Sequence, residues 1–170
     1  YFRIGVECDI TFFVPCFNEE NNIVFSLENI IRASIETGVS YEILLVDDNS
    51  QDNTVSVIEN YMRTHSDIPI TFVKNKKNRG LGRNYVEGAY ISKGKYYMLV
   101  NGDTAEPQEA ITTIIKELDQ ADIIIPYFGR KDTRKIGRRI LSKIFTSLVN
   151  LLSGQSLRYY NGPVAHLKFN

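Results

Sequence analysis

Two kinds of apolar pattern alternate along the chain. Segments 9–15 ("DITFFVP") and 41–48 ("YEILLVDD") are short and rich in aliphatic, β-branched and aromatic residues, which is typical of buried strands. Between them, apolar residues recur at the spacing of one helix face, and Gly38 follows where a helix would end. The recurring residues are Ile23, Leu27, Ile30, Ile31 and Ile35.

The same alternation continues to residue 152. Further strands are predicted at 69–73, 95–101 and 121–126. After the second strand, a helix is predicted with Val55, Ile58 and Met62 on its inner side. Residues 78–94 are predicted to form a glycine-rich turn that enters a helix. Two more helices are predicted, at 107–120 with proline in the first turn, and at 136–152. The order β-α-β-α-β-α-β-α-β predicts an α/β fold with a mainly parallel sheet and helices on both faces. We expect residues 1–170 to form a single domain.

Composition and charge narrow the class of protein. Hydrophobic residues make up 43% and charged residues 24% of the 170 residues, which is ordinary for a soluble globular domain. Acidic and basic residues balance at 20 each, so no overall field favours nucleic acid. Two cysteines, Cys8 and Cys16, form neither a disulfide framework nor a zinc motif. With no signal peptide or membrane-length apolar run, we expect a cytoplasmic protein with reduced thiols.

Polar loops follow three of the predicted strands, after Pro15, Val46 and Val100. Ligands of parallel sheets gather at the carboxyl ends of the strands, so these loops are the first place to look for a site. In "VPCFNEENN" (14–22), Asn18, Glu19 and Glu20 sit at a helix start. Taken alone, this pattern favours helix capping over ligand binding.

The loop "LLVDDNSQDNT" (44–54) carries adjacent acids. Two neighbouring carboxylates repel unless donors or cations compensate them, and half-burying them is costly. We therefore assign Asp47 and Asp48 to function. Asp52 or Ser50 can cap the next helix, and for Asp52 capping is the favoured interpretation.

The glycine-rich segment "NRGLGRNYVEG" (78–88) allows backbone amides to approach a ligand, and Arg79 and Arg83 could meet phosphate. A glycine-rich turn without a ligand explains it equally well. In "VNGDTAEP" (100–107), Asp103 could bind a divalent cation, with a turn aspartate as the alternative. Its place at the end of a central strand favours function.

A basic run occupies residues 129–143. Its cations are Arg130, Lys131, Arg134, Lys135, Arg138, Arg139 and Lys143, against the single acid Asp132. Such a run is usually a solvated face, but apolar residues interleave from Ile136 onward. A polyphosphate, an anionic lipid surface or a lipid phosphate would each suit it, whereas no readout motif supports nucleic acid.

Taken together and in order, these segments resemble the family-2 glycosyltransferases. The matching stretches are "VPCFNEENNI" (14–23), "YEILLVDDNSQDNT" (41–54) and "NRGLGRNYVEGAYISKGKYYMLVNGDTAEP" (78–107), within a resemblance that spans about residues 10–130. Within that family, the chain is most similar to the polyprenyl- and dolichol-phosphate sugar transferases. The resemblance implies a Rossmann-like GT-A fold for nucleotide-diphosphate sugars.

The resemblance also implies site residues. The expected nucleotide-binding residues are Pro15, Phe17, Glu19, Asp47, Asp48, Asn101 and Gly102. Among them Asp48 would hydrogen-bond the base, and Asp47 would support its loop. The expected catalytic residues are Asp103 and Arg130, and the expected phosphate and acceptor residues are Arg83, Arg134 and Arg138.

The implied reaction is inverting transfer of a sugar from a UDP- or GDP-sugar to a polyprenyl phosphate, with Mg²⁺ or Mn²⁺ on Asp103. The family often has aspartate at both ends of its Asp-x-Asp motif, whereas this chain has Asn101, Gly102 and Asp103. We therefore expect a metal site that is weak without the nucleotide. Peripheral membrane contact is expected through segment 130–143, at the cytoplasmic face of a membrane.

Two alternatives remain at this level. A catalytically inactive nucleotide-binding or scaffold domain would suit Asn101 and the ending "YYNGPVAHLKFN", which lacks the acceptor-side part expected of a transferase. A phosphoryl-accepting receiver domain would suit "ILLVDDNS" (43–50), although the following strand "ITFVKN" (70–75) offers no phosphoacceptor aspartate.

Overall fold

The computed structural model describes residues 7–126, 136–154, 156 and 164–168. These residues form alternating strands and helices in the predicted order. The elements are β1 (Cys8–Cys16), α1 (Ile23–Thr37), β2 (Tyr41–Asp47), α2 (Thr54–Thr64), β3 (Ile70–Lys74), α3 (Leu81–Ile91), β4 (Gly94–Leu99), α4 (Gln108–Lys116), β5 (Ile123–Ile124), α5 (Ile136–Ser153) and β6 (Ala165–Leu167).

The strands form one mixed sheet in the order β3-β2-β1-β4-β6-β5. β1 pairs in parallel with β2 on one side and with β4 on the other, and β2 pairs in parallel with β3. β6 runs antiparallel to both β4 and β5. The first four strands therefore end at the same edge of the sheet, as the βαβ pattern predicts.

Side chains of the central strands alternate between the two faces of the sheet. Phe12 and Ile43 face α1, α2 and α4 within one large apolar cluster. Phe13, Leu44 and Tyr97 face the opposite side, where Tyr85 and Ala89 of α3 pack on them. Burial of a large apolar side chain stabilises the folded state by about 1.5–3 kcal/mol. Because both faces of the sheet bury such side chains, polar and apolar residues alternate little along the central strands. The predicted α/β fold with helices on both faces is confirmed.

The edge beyond β4 differs from the prediction. The fifth strand is only Ile123–Ile124, shorter than the predicted 121–126. It pairs not with β4 but with β6, a three-residue strand that the sequence pattern did not predict. A strand this short has no readable periodicity, so its place depends on backbone pairing with Tyr96–Met98.

Strand order also decides against the receiver-domain alternative. Receiver domains have the order 2-1-3-4-5, in which the first strand lies between the second and third. Here β2 lies between β1 and β3, and β1 pairs with β4. The receiver interpretation of "ILLVDDNS" is therefore wrong.

The described residues fall into two compact units, one within residues 1–124 and 165–170 and one within 125–164. The first unit contains the sheet with α1 to α4. The second contains α5, an 18-residue helix. In the described part of the chain, no helix combines the length and apolar character needed to cross a membrane.

A prediction concerns the packing of α3 on the sheet. A Cβ atom at Gly88 would lie 2.4 Å from the Tyr97 hydroxyl oxygen and 2.9 Å from Cδ2 of Phe13. We expect Gly88→Ala to lower the free energy of unfolding by about 1–3 kcal/mol in urea denaturation, because the buried rings must shift. Gly82→Ala on the same helix is the control, since a Cβ there meets nothing within 4 Å. Equal effects of both substitutions would contradict this packing.

Candidate functional site

The loops that follow β1 and β2 are joined by hydrogen bonds in both directions. The Asn18 amide N–H donates to Oγ of Ser50 at 2.9 Å, and the Gln51 amide donates back to Oδ1 of Asn18 at 2.8 Å. The Glu19 amide donates to Oγ1 of Thr54 at 2.7 Å. These contacts hold the two loops side by side at the carboxyl edge of the sheet.

Acidic side chains extend this connection. Oε2 of Glu20 accepts from the Asn53 amide at 2.8 Å, while the Glu20 amide donates to Asp52 at 3.2 Å. Asp52 also accepts from the amide of Thr54, the first residue of α2, at 3.0 Å. The expected capping of α1 is wrong, because α1 has no side-chain cap at Asn22. Asn18 and Glu20 instead accept from amides of the loop before α2.

Asp47 holds the turn after β2. Its carboxylate is buried and accepts from the amides of Asn49 and Ser50, each at 3.1 Å, and from the Ser50 hydroxyl. Cys16 lies next to it, with Sγ 3.9 Å from Oδ1 of Asp47. Burial raises the pKa of the Cys16 thiol, and the charge of Asp47 adds to this, so the thiol stays protonated.

Asp48 holds the glycine-rich loop before α3. Its carboxylate, 6% exposed, accepts from the amides of Arg79 at 2.8 Å and Gly80 at 2.9 Å, and from Nδ2 of Asn75 at 2.9 Å. Burial raises the pKa of this carboxyl group, but the nearby Asn84 amide and these hydrogen bonds outweigh it and leave the pKa below its ordinary value. Three of its roughly four acceptor positions are thus occupied from within the chain.

The arginines of the glycine-rich loop share one acid. Nη2 of Arg79 lies 2.5 Å and Nε of Arg83 lies 2.9 Å from Oε1 of Glu87, one turn into α3. The Arg83 side chain is largely exposed, so the pair contributes little to stability. Arg83, predicted to bind phosphate, is therefore free to exchange Glu87 for an anionic ligand at small cost.

The end of β4 carries the turn with Asn101, Gly102 and Asp103. The Gly102 amide donates to the carbonyl oxygen of Pro15 at 3.2 Å, so this turn abuts the end of β1. A Cβ at Gly102 would lie only 3.0 Å from that oxygen, which accounts for glycine here. Oδ1 of Asp103 accepts from the Ala105 amide at 3.1 Å, and the Asp103 side chain is exposed.

Glu106 lies beneath this turn and was not predicted. Its carboxylate, 7% exposed, accepts from both the amide and Nδ2 of Asn101, at 2.9 and 3.0 Å. Burial raises the pKa of Glu106, and the charge of Asp103 adds to the effect. Its position five residues after Asn101, before Pro107, carries no periodic signal that sequence reasoning could use.

Each of the four loops contains one residue in the left-handed backbone region. They are Asn18 (φ 60°), Asn49 (φ 69°), Gly80 (φ 81°) and Thr104 (φ 60°). Asparagine and glycine tolerate this region, but a β-branched residue does so at a cost of about 1–3 kcal/mol. The Thr104 amide is held by Oγ of Ser26 at 3.0 Å. One residue with a costly backbone conformation thus lies directly after Asp103.

The structure therefore brings together most of the predicted site residues. Those at the shared edge are Pro15, Phe17, Glu19, Asp47, Asp48, Asn101, Gly102 and Asp103. Phe17 is 46% exposed at this edge, so its ring is accessible to a ligand there. Arg130 and Arg134 lie outside the described residues, as does the side chain of Arg138.

A metal ion at this site would have few protein ligands. Among the described residues, no group of three or more His, Cys, Asp or Glu side chains is arranged to hold a metal ion. Asp103 offers exposed carboxylate oxygens, the hard donors that Mg²⁺ and Mn²⁺ prefer. The donor set fits an ion that takes most of its ligands from a bound diphosphate and water.

A depression of about 380 Å³ lies at the amino edge of the sheet. Its three acids already have partners within the chain: Asp119 pairs with Lys95, Glu36 pairs with Lys116 at 3.2 Å, and Asp9 accepts from the Ser40 amide at 2.9 Å. At the carboxyl edge, by contrast, four strand-end loops meet and carry the predicted site residues. We therefore place the candidate site at the carboxyl edge.

Comparison with protein families gives one match over nearly the whole chain. Residues 11–169 match the family model described as glycosyl transferase family 2. The match includes all four strand-end loops.

Curated relatives include two lipid-phosphate enzymes. A dolichyl-phosphate beta-glucosyltransferase of Dictyostelium discoideum is 33% identical over 97 residues, which are 54% of this chain and 30% of that protein. An undecaprenyl-phosphate 4-deoxy-4-formamido-L-arabinose transferase of Proteus mirabilis is 23% identical over 147 residues, 86% of this chain and 45% of that protein. The chain thus spans less than half the length of either relative.

Among solved structures, the mannosyltransferase PcManGT of Pyrobaculum calidifontis, in complex with GDP-Man and Mn²⁺, matches with a TM-score of 0.68. The match is 20% identical and covers 96% of this chain and 47% of that one. It establishes a shared GT-A fold.

The contacts of Asp48 generate a prediction about acid stability. In Asp48→Asn an NH₂ group must face one of the donating amides, so we expect a loss of about 1–3 kcal/mol at pH 7. The folded pKa of Asp48 lies below its ordinary value of 3.8, so its stabilisation is present above that value. It disappears as the pH falls through the folded pKa.

The free energy of unfolding, measured in urea from pH 7 to pH 2.5, should therefore differ between wild type and Asp48→Asn at pH 7 and converge in acid. Asp67→Asn, at an exposed position before β3, serves as the control and should have a free energy of unfolding close to that of the wild type at pH 7. If the difference in free energy of unfolding between wild type and Asp48→Asn stayed constant down to pH 2.5, it would contradict an ionised Asp48 in the folded protein.

Proposed function

Because this chain belongs to glycosyl transferase family 2, we propose that it is the donor-binding part of a sugar transferase. The donor is a nucleotide-diphosphate sugar, a UDP- or GDP-sugar, and the acceptor is a polyprenyl phosphate. The observation that carries the proposal is the convergence of four hydrogen-bonded strand-end loops on one edge of the sheet. We also propose that both compact units belong to one domain, since the family match runs through both.

The nucleotide would lie across the ends of β1 and β2. Exposed Phe17 offers a ring face to the base, with Pro15 at the end of β1 before it and Glu19 after it on the same loop. Asp48 retains an acceptor position for a base N–H, while Asp47 keeps the turn rigid. These roles follow from unused hydrogen-bonding capacity and exposure.

The diphosphate would lie near Gly102 and Asp103. A Mg²⁺ or Mn²⁺ ion held by Asp103 and the diphosphate would neutralise charge on the leaving group. Arg83 can meet the donor phosphates after releasing Glu87. Arg130, Arg134 and Arg138 would hold the donor diphosphate and the acceptor phosphate.

Transfer needs no general base when the acceptor is a phosphate. An oxygen of the acceptor anion attacks the anomeric carbon opposite the diphosphate. The new carbon–oxygen bond forms as the old one breaks, and the nucleoside diphosphate leaves with the electron pair. Configuration at the anomeric carbon therefore inverts. The chain's task is to position both anions and to offset their charge.

The acceptor is proposed from the relatives. Both curated relatives described above are named as transferases that use a polyprenyl phosphate, dolichyl or undecaprenyl. A hydroxyl acceptor would require a general base positioned at the site. The carboxylates buried there, Asp47, Asp48 and Glu106, accept hydrogen bonds that hold the loops of the chain, so none of them is proposed as that base.

A second candidate function is nucleotide binding without transfer. Asn101 in place of an acid favours it, because the strand-end motif then has a single carboxylate for a metal. The two functions differ in one measurable respect: both predict metal-assisted donor binding, but the transferase alone releases nucleoside diphosphate when a polyprenyl phosphate is added.

Segment 130–143 and α5 are proposed to contact the cytoplasmic face of a membrane. The large apolar side chains of α5 are 45–79% exposed, and the described residues of this helix include no acid. The exposed set is Ile136, Ile140, Leu141, Ile144, Phe145, Leu148, Leu151 and Leu152. An amphipathic helix with basic and apolar residues suits an anionic lipid surface.

Donor binding provides the first test. With Mn²⁺, we expect calorimetry to show binding of one of UDP-glucose, UDP-N-acetylglucosamine and GDP-mannose. EDTA or Asp103→Asn should weaken binding by about tenfold or more, because the diphosphate loses its counter-ion. Asp67→Asn, an exposed acid before β3, should bind like wild type. If none of the three donors bound, the result would contradict the proposed function.

Lipid contact has a separate test. We expect the chain to sediment with vesicles that contain phosphatidylserine more than with phosphatidylcholine vesicles. Ile144→Asp with Leu148→Asp should reduce binding by about tenfold or more, since two apolar side chains no longer insert. Phe25→Asp removes an apolar side chain on α1 that is 65% exposed and is the control. Equal sedimentation of all variants would refute lipid contact through α5.

A further inference from the structure

Glu106 and Asn101 form a unit that the family resemblance does not account for. The Glu106 carboxylate accepts two hydrogen bonds from Asn101, one from its backbone amide at 2.9 Å and one from its side-chain Nδ2 at 3.0 Å. Glu106 is almost fully buried, so the contact is protected from water. Two hydrogen bonds to one charged acceptor hold Asn101 in both position and rotation.

This contact fixes which way the Asn101 amide faces. An ionised carboxylate only accepts hydrogen bonds, so Nδ2 must turn toward Glu106. The amide is planar, with its oxygen and nitrogen on opposite sides, so Oδ1 turns away from Glu106. Asn101 therefore offers its environment an acceptor oxygen held in place by the acid behind it.

The pair also explains why an acid is absent at the end of β4. An aspartate in place of Asn101 would bring two carboxylates to about 3 Å from each other in a buried site, which requires a shared proton or a cation between them. With asparagine at position 101, the Glu106 carboxylate has no second carboxylate against it. The charge supports the turn from beneath instead of facing the ligand.

We propose that Glu106 is a positioning residue for the nucleotide: it orients Asn101 so that Oδ1 accepts a hydrogen bond from a ribose hydroxyl of the donor. This inference rests on the proposed function. It adds a determinant of specificity, because a site built around an acceptor for a hydroxyl discriminates against ligands that lack the hydroxyl.

The test compares a ribonucleoside diphosphate with its 2′,3′-dideoxy form. Calorimetry with Mn²⁺ would use UDP and dideoxy-UDP, and GDP and dideoxy-GDP, on the same chain. Wild type should prefer the ribose form by about tenfold, the contribution of one well-placed hydrogen bond. In Glu106→Gln the side-chain amide of Asn101 is no longer held in one orientation. The ratio of the affinities for the ribose and dideoxy forms should therefore fall toward one, with little change in the affinity for the dideoxy form.

A charge exchange separates positioning from folding. Asn101→Asp alone should weaken binding, because its carboxylate meets that of Glu106. Asn101→Asp combined with Glu106→Gln should restore the ribose preference, since the introduced glutamine can accept from the backbone amide and donate to the introduced aspartate. Glu109→Gln, an exposed acid in the first turn of α4, is the matched control and should leave the preference unchanged.

The outcomes are distinguishable. If wild type binds neither UDP nor GDP, the proposed function fails and this inference with it. If wild type binds but Glu106→Gln keeps the ribose preference, the inference alone fails. It also fails if Glu106→Gln lowers the melting temperature and weakens both forms equally, because Glu106 would then support only the fold.

Discussion

The parallel pairing of β1 with both β2 and β4 is the constraint on which the rest of the structure depends. In register, Cys16 lies opposite Asp47, and Phe13 lies opposite Leu99. The three strands therefore end nearly level, and the loops that follow them must meet at one edge. The contacts of Asn18 with Ser50 and of Gly102 with Pro15 depend on this alignment. The parallel pairing of β2 with β3 likewise brings the Arg79 and Gly80 amides to Asp48.

The buried acids of the site stabilise its loops, whereas the exposed acid, Asp103, is accessible to a ligand. Asp47, Asp48 and Glu106 are each nearly inaccessible to water, which is costly for a carboxylate unless donors surround it. Each accepts hydrogen bonds from backbone amides of its own loop or the next one, so the three carboxylates stabilise three turns with uncommon backbone conformations. Asp103 differs because its side chain remains exposed at the surface those turns create. A rigid edge with one accessible acid suits a diphosphate and its counter-ion.

Features encoded by local sequence patterns could be predicted. The central strands, their helices and the cluster of Asp47, Asp48 and Asp103 at strand ends follow from periodicity and from the position of acids after apolar runs. β6 could not be predicted, because three residues have no period and their pairing is decided by β4. Glu106 was missed for a similar reason: its partner is five residues away around a turn whose backbone, with Thr104 in the left-handed region, no propensity would choose. The expected capping of α1 by Asn18 and Glu20 was wrong. Both side chains bind amides of a loop about 33 residues away in sequence, which only the sheet brings close.

If the four strand-end loops form one nucleotide-diphosphate site, a bound nucleotide slows amide hydrogen exchange in all four of them. Exchange would be followed by mass spectrometry with and without saturating UDP or GDP plus Mn²⁺, over peptides that cover residues 7–126. The account predicts slower exchange in peptides containing 15–20, 47–53, 78–84 and 101–106, with no change around Lys95 and Lys116 at the amino edge. Protection confined to the amino edge, or to one loop while the other three exchange as before, would contradict it.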